Sequence, residues 1–186
     1  MIKVIFVPGN RGGGPNDNWF PYLKTELEKI GVHVVASEFP DNKIAREAYW
    51  IPFLKDELKV DSQTILVGHS SGAIAAMRLA ETTPILGSVL VGTYYTDLNW
   101  DIEKKSGYFN RPWNWDAISK NQKWIIQFAS ENDPWIPVEE ARFVHKKLKT
   151  EYHEFKDQGH FGGDYEKLEF PELLHELKKK LIKLGT

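Results

Sequence analysis

The chain has 186 residues, of which 41% are hydrophobic, 13% aromatic and 27% charged, the make-up of one globular domain and not of a disordered or membrane-embedded chain. At this length about 70% of the unfolded surface can be buried, enough for a core without staples. Lys and Arg number 24 against 26 Asp and Glu, a net charge of -2 that argues against nucleic acid and anionic membranes as partners. The absence of cysteine removes disulfides, thiolate metal sites and cysteine nucleophiles together.

The first apolar run, Ile2–Val7, is too short for a secretory core and no cleavage site follows it, so a cytoplasmic location is expected. It predicts a buried strand that empties into Val7-Pro8-Gly9-Asn10 and then Arg11-Gly12-Gly13-Gly14. A Gly-rich loop after a strand can cradle phosphate, but this one lacks the Gly-Lys-Ser/Thr ending, does not fit G-x-G-x-x-G, and loses a donor at Pro15. A helix is predicted at about Trp19–Ile30, a strand at Val32–Ala36 and a helix at about Ile44–Leu58.

The strand Thr64–Val67 runs directly into Gly68-His69-Ser70-Ser71-Gly72 and then a small-residue helix, Gly72–Glu81. This is G-x-S-x-G in a strand-turn-helix setting, which holds its central serine at a helix N-terminus above the sheet, with glycines where side chains would collide. Ser70 is therefore the candidate nucleophile, and the rival use of the motif is a Ser/Gly turn that caps a helix. His69 adjoins Ser70 in sequence, so its ring should point away, and a packing or hydrogen-bonding role is expected of it.

A strand follows at Ile85–Val91, and then Gly92–Lys123, a long segment expected to be irregular and rich in aromatic residues. Tyr108, Phe109, Trp113 and Trp115 in this segment, together with Phe161, are expected to form an apolar substrate pocket over the site. The next strand, Trp124–Phe128, leads to Ala129-Ser130-Glu131-Asn132-Asp133-Pro134, and the helix Val138–Lys149 leads to the strand Tyr152–Phe155 and to Gly159-His160-Phe161. Asp133 and His160 thus each lie just beyond a strand end, in the order Ser, Asp, His that an acyl-transfer triad takes on such a fold.

Asp133 alone could serve as an Asx-turn residue, and Asp164 is a distant second choice because it follows His160. His33, His145, His153 and His175 are scattered over predicted strands and helices and suggest neither a base nor a metal site, so no metal or other cofactor is expected. The oxyanion donors are expected from the backbone of Ser71 and, in the loop after the first strand, of Asn10. In the last helix, Pro171–Leu184, Leu173, Leu177 and Leu181 share one face and Lys178 to Lys180 turn to solvent.

The alternation predicts an α/β fold, a mostly parallel sheet of about six strands with helices on both faces and functional groups beyond the carboxyl ends of the strands. One such domain is expected over residues 1–186, without a large cap.

Several longer strings carry a family resemblance. They are Val7-Pro8-Gly9-Asn10, Gly68-His69-Ser70-Ser71-Gly72-Ala73-Ile74-Ala75-Ala76-Met77-Arg78, Ser106-Gly107-Tyr108-Phe109, Arg111-Pro112-Trp113 and Gly159-His160-Phe161. In these the chain resembles, over nearly its whole length, the retinoblastoma-binding protein nine family of small serine hydrolases, in the α/β-hydrolase superfamily. The resemblance implies a triad on Ser70, Asp133 and His160 and peptidase-like or esterase-like activity on a small apolar acyl or short peptide substrate. It does not carry over the retinoblastoma-protein contact, because the L-x-C-x-E motif attributed to it is replaced by Leu58-Lys59-Val60-Asp61-Ser62, without the cysteine or the glutamate. A non-catalytic interaction module on a hydrolase scaffold is the alternative reading of the same residues.

Overall fold

A computed structural model describes residues 2–163 and 166–183. Its centre is a six-stranded parallel sheet formed by β1 (Lys3–Val7), β2 (His33–Val35), β3 (Thr64–His69), β4 (Gly87–Val91), β5 (Ile125–Ser130) and β6 (Glu151–Phe155), in the order β2-β1-β3-β4-β5-β6. Strand pleating sends successive side chains to opposite faces, and both faces are covered. Val4, Phe6, Ile65 and Val67 join one core with α1 (Phe20–Glu28) and α7 (Pro171–Lys183). Ile5, Val7 and Leu66 join another with α2 (Glu47–Pro52), α3 (Ser71–Ala80), α5 (Trp115–Lys120) and α6 (Val138–Leu148). β1 pairs with β2 on one side and β3 on the other, so the chain reverses its winding there and leaves a crevice above the ends of β1 and β3.

Several elements depart from the periodicity reading, each for a local reason. The helix expected from Ile44 begins at Glu47, because Ala45 adopts a left-handed backbone (φ 61°) and closes a turn onto the Asp41 carbonyl. Pro52 removes an N–H from that helix, and the chain continues as a π-helical turn over Phe53–Glu57. β6 is an edge strand and is only half-buried, unlike the doubly covered central strands. The segment 92–123 is not irregular throughout: it contains α4 (Asp101–Ser106) and α5.

Residues 58–62 form a plain connector into β3. Its carbonyls at Leu58 and Lys59 accept from Lys3 Nζ, and Asp61 accepts from the Thr64 hydroxyl. No large domain is inserted between strands, and no helix among the described residues is long and apolar enough to cross a membrane. Asp164 and the Leu184 end of the last helix lie outside the described residues.

Candidate active site

The turn between β3 and α3 places Ser70 at φ 54°, ψ -121°, a region of backbone space that residues other than glycine seldom occupy. The turn is held on both sides. The Ser70 N–H donates to the Val91 carbonyl at 2.9 Å, and its carbonyl accepts from Ala73 N–H at 2.9 Å. A Cβ at Gly68 would meet the Gly72 carbonyl oxygen at 2.5 Å, and one at Gly72 would run into the Val7 carbonyl of β1. The two glycines are thus what allow the sharp strand-to-helix turn to form against β1.

Asp133 follows β5, and each of its carboxylate oxygens has a separate task. Oδ1 accepts from the N–H groups of Trp135 and Ile136, at 2.9 and 3.0 Å, which closes an Asx-type turn. Oδ2 lies 2.7 Å from His160 Nδ1. The turn-forming and histidine-orienting readings of Asp133 are therefore compatible in one side chain. The loop that carries His160 is clipped to the same turn: Asn132 Oδ1 accepts from Gly159 N–H at 2.8 Å, and Ser130 Oγ accepts from Gln158 N–H at 2.9 Å.

Behind this loop, His69 Nε2 lies 2.7 Å from the His160 carbonyl and Trp19 Nε1 donates to the Phe161 carbonyl at 3.0 Å. Burial, reinforced by the neighbouring His160, lowers the His69 pKa to about 3. His69 is consequently a neutral donor at ordinary pH.

Ser70 and His160 line one cleft of about 740 Å³, together with Gly9, Asn10, Arg11, Tyr94, Trp100, Glu103, Trp135 and Ile136. Neither the Asn10 nor the Ser71 backbone N–H is hydrogen-bonded among the described residues; Asn10 lines the cleft, and Ser71 is buried directly behind Ser70. Sequence reading missed Glu103, a nearly fully buried acid on α4 that accepts from Asn10 Nδ2 at 2.7 Å and from the Tyr94 hydroxyl at 2.8 Å. Its distance from Asn10 along the chain left no local signal. Among the described residues no group of three or more His, Asp or Glu could hold a metal.

The aromatic residues expected to roof the cleft lie elsewhere. Phe161 and Tyr108 are in the two cores, and Phe109, Trp113 and Trp115 pack against the α3 side of the sheet. The cause is Arg78, buried on α3, whose guanidinium donates to the carbonyls of Tyr108, Arg111 and Pro112 and lies 3.6 Å from the centre of the Trp113 ring. It draws the loop down beside α3, away from the crevice. Trp100 and Trp135 line the cleft in their place, their ring centres 6.1 Å apart, with the Arg11 guanidinium 5.9 and 5.2 Å from them.

Comparison with known proteins bears on this architecture. The serine hydrolase family model matches residues 4–179. Serine hydrolase RBBP9 of Rattus norvegicus is 43% identical over 181 residues, covering 96% of this chain and 95% of the relative. The chain belongs to the RBBP9 serine-hydrolase family, within the α/β-hydrolase superfamily.

Among solved structures, the ydeN gene product of B. subtilis superposes with a TM-score of 0.87 at 22% identity, covering 96% of this chain and 98% of that one. Est1E from Butyrivibrio proteoclasticus does so with a TM-score of 0.72 at 15% identity, over 98% and 88%. These two likenesses concern the fold. Membership of the family makes the chain a serine hydrolase.

Proposed function

We propose that the chain cleaves ester or amide bonds of small acyl or aminoacyl substrates, short peptides included, with Ser70 as nucleophile, His160 as general base and acid, and Asp133 as the group that orients His160. The observation that carries this reading is the 2.7 Å contact between Asp133 Oδ2 and His160 Nδ1, with His160 sharing one cleft with a serine held on a strained turn. With Nδ1–H given to Asp133, Nε2 is left with its lone pair to take a proton.

Ser70 Oγ attacks the substrate carbonyl carbon as its proton passes to His160 Nε2. The carbonyl oxygen becomes an oxyanion that the Asn10 and Ser71 amides face. Collapse expels the alcohol or amine, which takes the proton from His160, and water repeats the sequence on the acyl-enzyme. Among the described residues the Ser70 hydroxyl makes no hydrogen bond to a side chain, so in this reading its bond to His160 Nε2 forms as substrate fills the cleft. Trp100, Trp135 and Ile136 supply the apolar wall for the acyl group, a role first expected of the 108–115 aromatics.

A fluorophosphonate probe tests the assignment. It should label the wild-type protein stoichiometrically and leave Ser70→Ala unlabelled. Undiminished labelling of Ser70→Ala would sink it.

A further inference from the structure

The proposed oxyanion amides belong to two separate pieces of chain, the loop after β1 and the first turn of α3, and their side chains are joined through a third. Asn10 Nδ2 donates to Glu103 Oε1 at 2.7 Å, the Tyr94 hydroxyl donates to Glu103 Oε2 at 2.8 Å, and Ser71 Oγ lies 3.2 Å from the Tyr94 hydroxyl. A carboxylate offers only acceptors and a tyrosine hydroxyl only one proton. Once that proton goes to Glu103, the Ser71 hydroxyl donates to the Tyr94 oxygen. Each donor in the chain then points toward Glu103, which ties Asn10 and Ser71 to a single acceptor.

Resting on the acyl-transfer reading above, we infer that Glu103 is a positioning residue: through Asn10 directly, and through Tyr94 and Ser71, it holds the two backbone N–H groups in register for the oxyanion. Glu103 lines the cleft, which also suggests a substrate amine as its partner. Its two oxygens are already engaged and the residue is only 2% exposed, so the geometry favours positioning. Its surroundings fit the same role. Burial raises the Glu103 pKa, against the pull of the Tyr94 and Asn10 hydrogen bonds and of the nearby Arg11 charge, and no cation pairs with it directly among the described residues. A buried acid held by neutral donors and not by a direct ion pair is a poor device for stability alone.

Steady-state hydrolysis of a p-nitrophenyl butyrate probe, with thermal melting of each variant, tests this. Tyr94→Phe removes one hydroxyl and cuts the link to Ser71; Glu103→Leu leaves Asn10 and Tyr94 without their acceptor. Each should lower kcat about 10- to 100-fold, the effect of a displaced oxyanion donor, with KM within about threefold of wild type. Glu103→Gln keeps an acceptor for Asn10 and a partner for Tyr94, and should recover most of the kcat lost in Glu103→Leu. If Glu103→Leu does not fold, Tyr94→Phe and Glu103→Gln decide.

Three results overturn the inference: kcat near wild type in Tyr94→Phe, a Glu103→Gln variant as slow as one without the acceptor, or a rise in KM at constant kcat. The last would mark a substrate contact. Ser70→Ala in the same assay separates the two levels. If it is inactive while the Glu103 and Tyr94 variants are unaffected, only the positioning role falls; if it is as active as wild type, the reading of the cleft falls with it.

Discussion

His69 Nε2 sits 2.7 Å from the main-chain carbonyl of His160, so the residue before the candidate nucleophile holds the backbone of the candidate base. A carbonyl only accepts, which fixes the proton of His69 on Nε2. The ring is also packed against Trp19 and His160, at centroid distances of 6.2 and 4.8 Å. The side chain is therefore a bridge between the β3 turn and the loop beyond β6, and burial keeps it neutral there.

That neutrality has a measurable consequence in acid. The folded-state pKa of His69 is lowered to about 3 from the ordinary 6.5. Above the ordinary value neither state is protonated and stability is unaffected. As pH falls from there toward the folded value, the unfolded chain binds a proton that the folded chain refuses, so stability is lost across that window. The loss approaches about 2 to 3 kcal/mol by about pH 4.5. His69→Gln keeps an N–H donor and does not titrate. Urea unfolding of both proteins at about pH 7 and pH 4.5 should show wild type losing more stability than the variant by roughly that amount; parallel losses would mean that His69 titrates freely in the folded protein.

The two oxygens of Asp133 make its two tasks separable. Asp133→Asn can keep an oxygen toward the Trp135 and Ile136 amides but turns an NH2 toward His160 Nδ1. Asp133→Ala loses both. The expected pattern is a kcat loss of roughly 10³- to 10⁴-fold in both variants, because the imidazole loses its tautomer, with a marked drop in melting temperature only for alanine. Equal activity in Asp133→Asn and wild type would leave Asp133 as a turn residue only.

Arg78 is a stability residue remote from the chemistry. Its buried guanidinium serves the Tyr108, Arg111 and Pro112 carbonyls, pairs with Glu81 at 2.7 Å and covers Trp113. Removing Arg78 leaves three carbonyls without this donor and takes from Glu81 its nearest cation, although Glu81 keeps the Asn114 N–H and Arg111. Arg78→Met should lower the unfolding free energy by about 3–5 kcal/mol in urea titrations. The folded fraction should still label with fluorophosphonate, since the guanidinium does not line the cleft. A change below about 1 kcal/mol would show that the loop finds other partners.

What could be read from the chain was what depends on neighbours in sequence or on strand order. Gly68 and Gly72 signal the turn because their crowding arises from the strand and helix beside them, and the positions of Asp133 and His160 follow once β5 and β6 are recognised. Glu103 carries no such sign. Its partners Asn10 and Tyr94 come from the ends of β1 and β4, and only the folded sheet brings them to α4. The aromatics of 108–115 were misplaced for the same reason. Their density showed that the segment is packed, but the direction of packing is set by Arg78, whose partners are carbonyl groups that have no residue-type signature. Phe161 is similar: a left-handed backbone at φ 57° turns it into the core beside Phe170, at a centroid distance of 5.3 Å.

This relocation gives the substrate preference a sharp test. If the acyl group is read by the wall of the cleft, Trp135 and Trp100 matter and Trp113 and Trp115 do not. Trp135→Ala should lower kcat/KM for an aromatic acyl ester about tenfold or more while leaving an acetyl ester within about threefold, the discrimination a single apolar contact supports. Trp113→Ala should lower stability, because its ring covers Arg78 and its Nε1 donates to the Tyr95 carbonyl at 2.8 Å, with the ratio of the two substrates unchanged. The opposite pattern, selectivity lost in Trp113→Ala and kept in Trp135→Ala, would return the pocket to the 108–115 segment. A ratio unmoved by either change would mean that the acyl group leaves the cleft without touching these rings. The Arg11 guanidinium near Trp100 and Trp135 adds a second readout, since its loss in Arg11→Ala frees both faces and should loosen the wall without removing it.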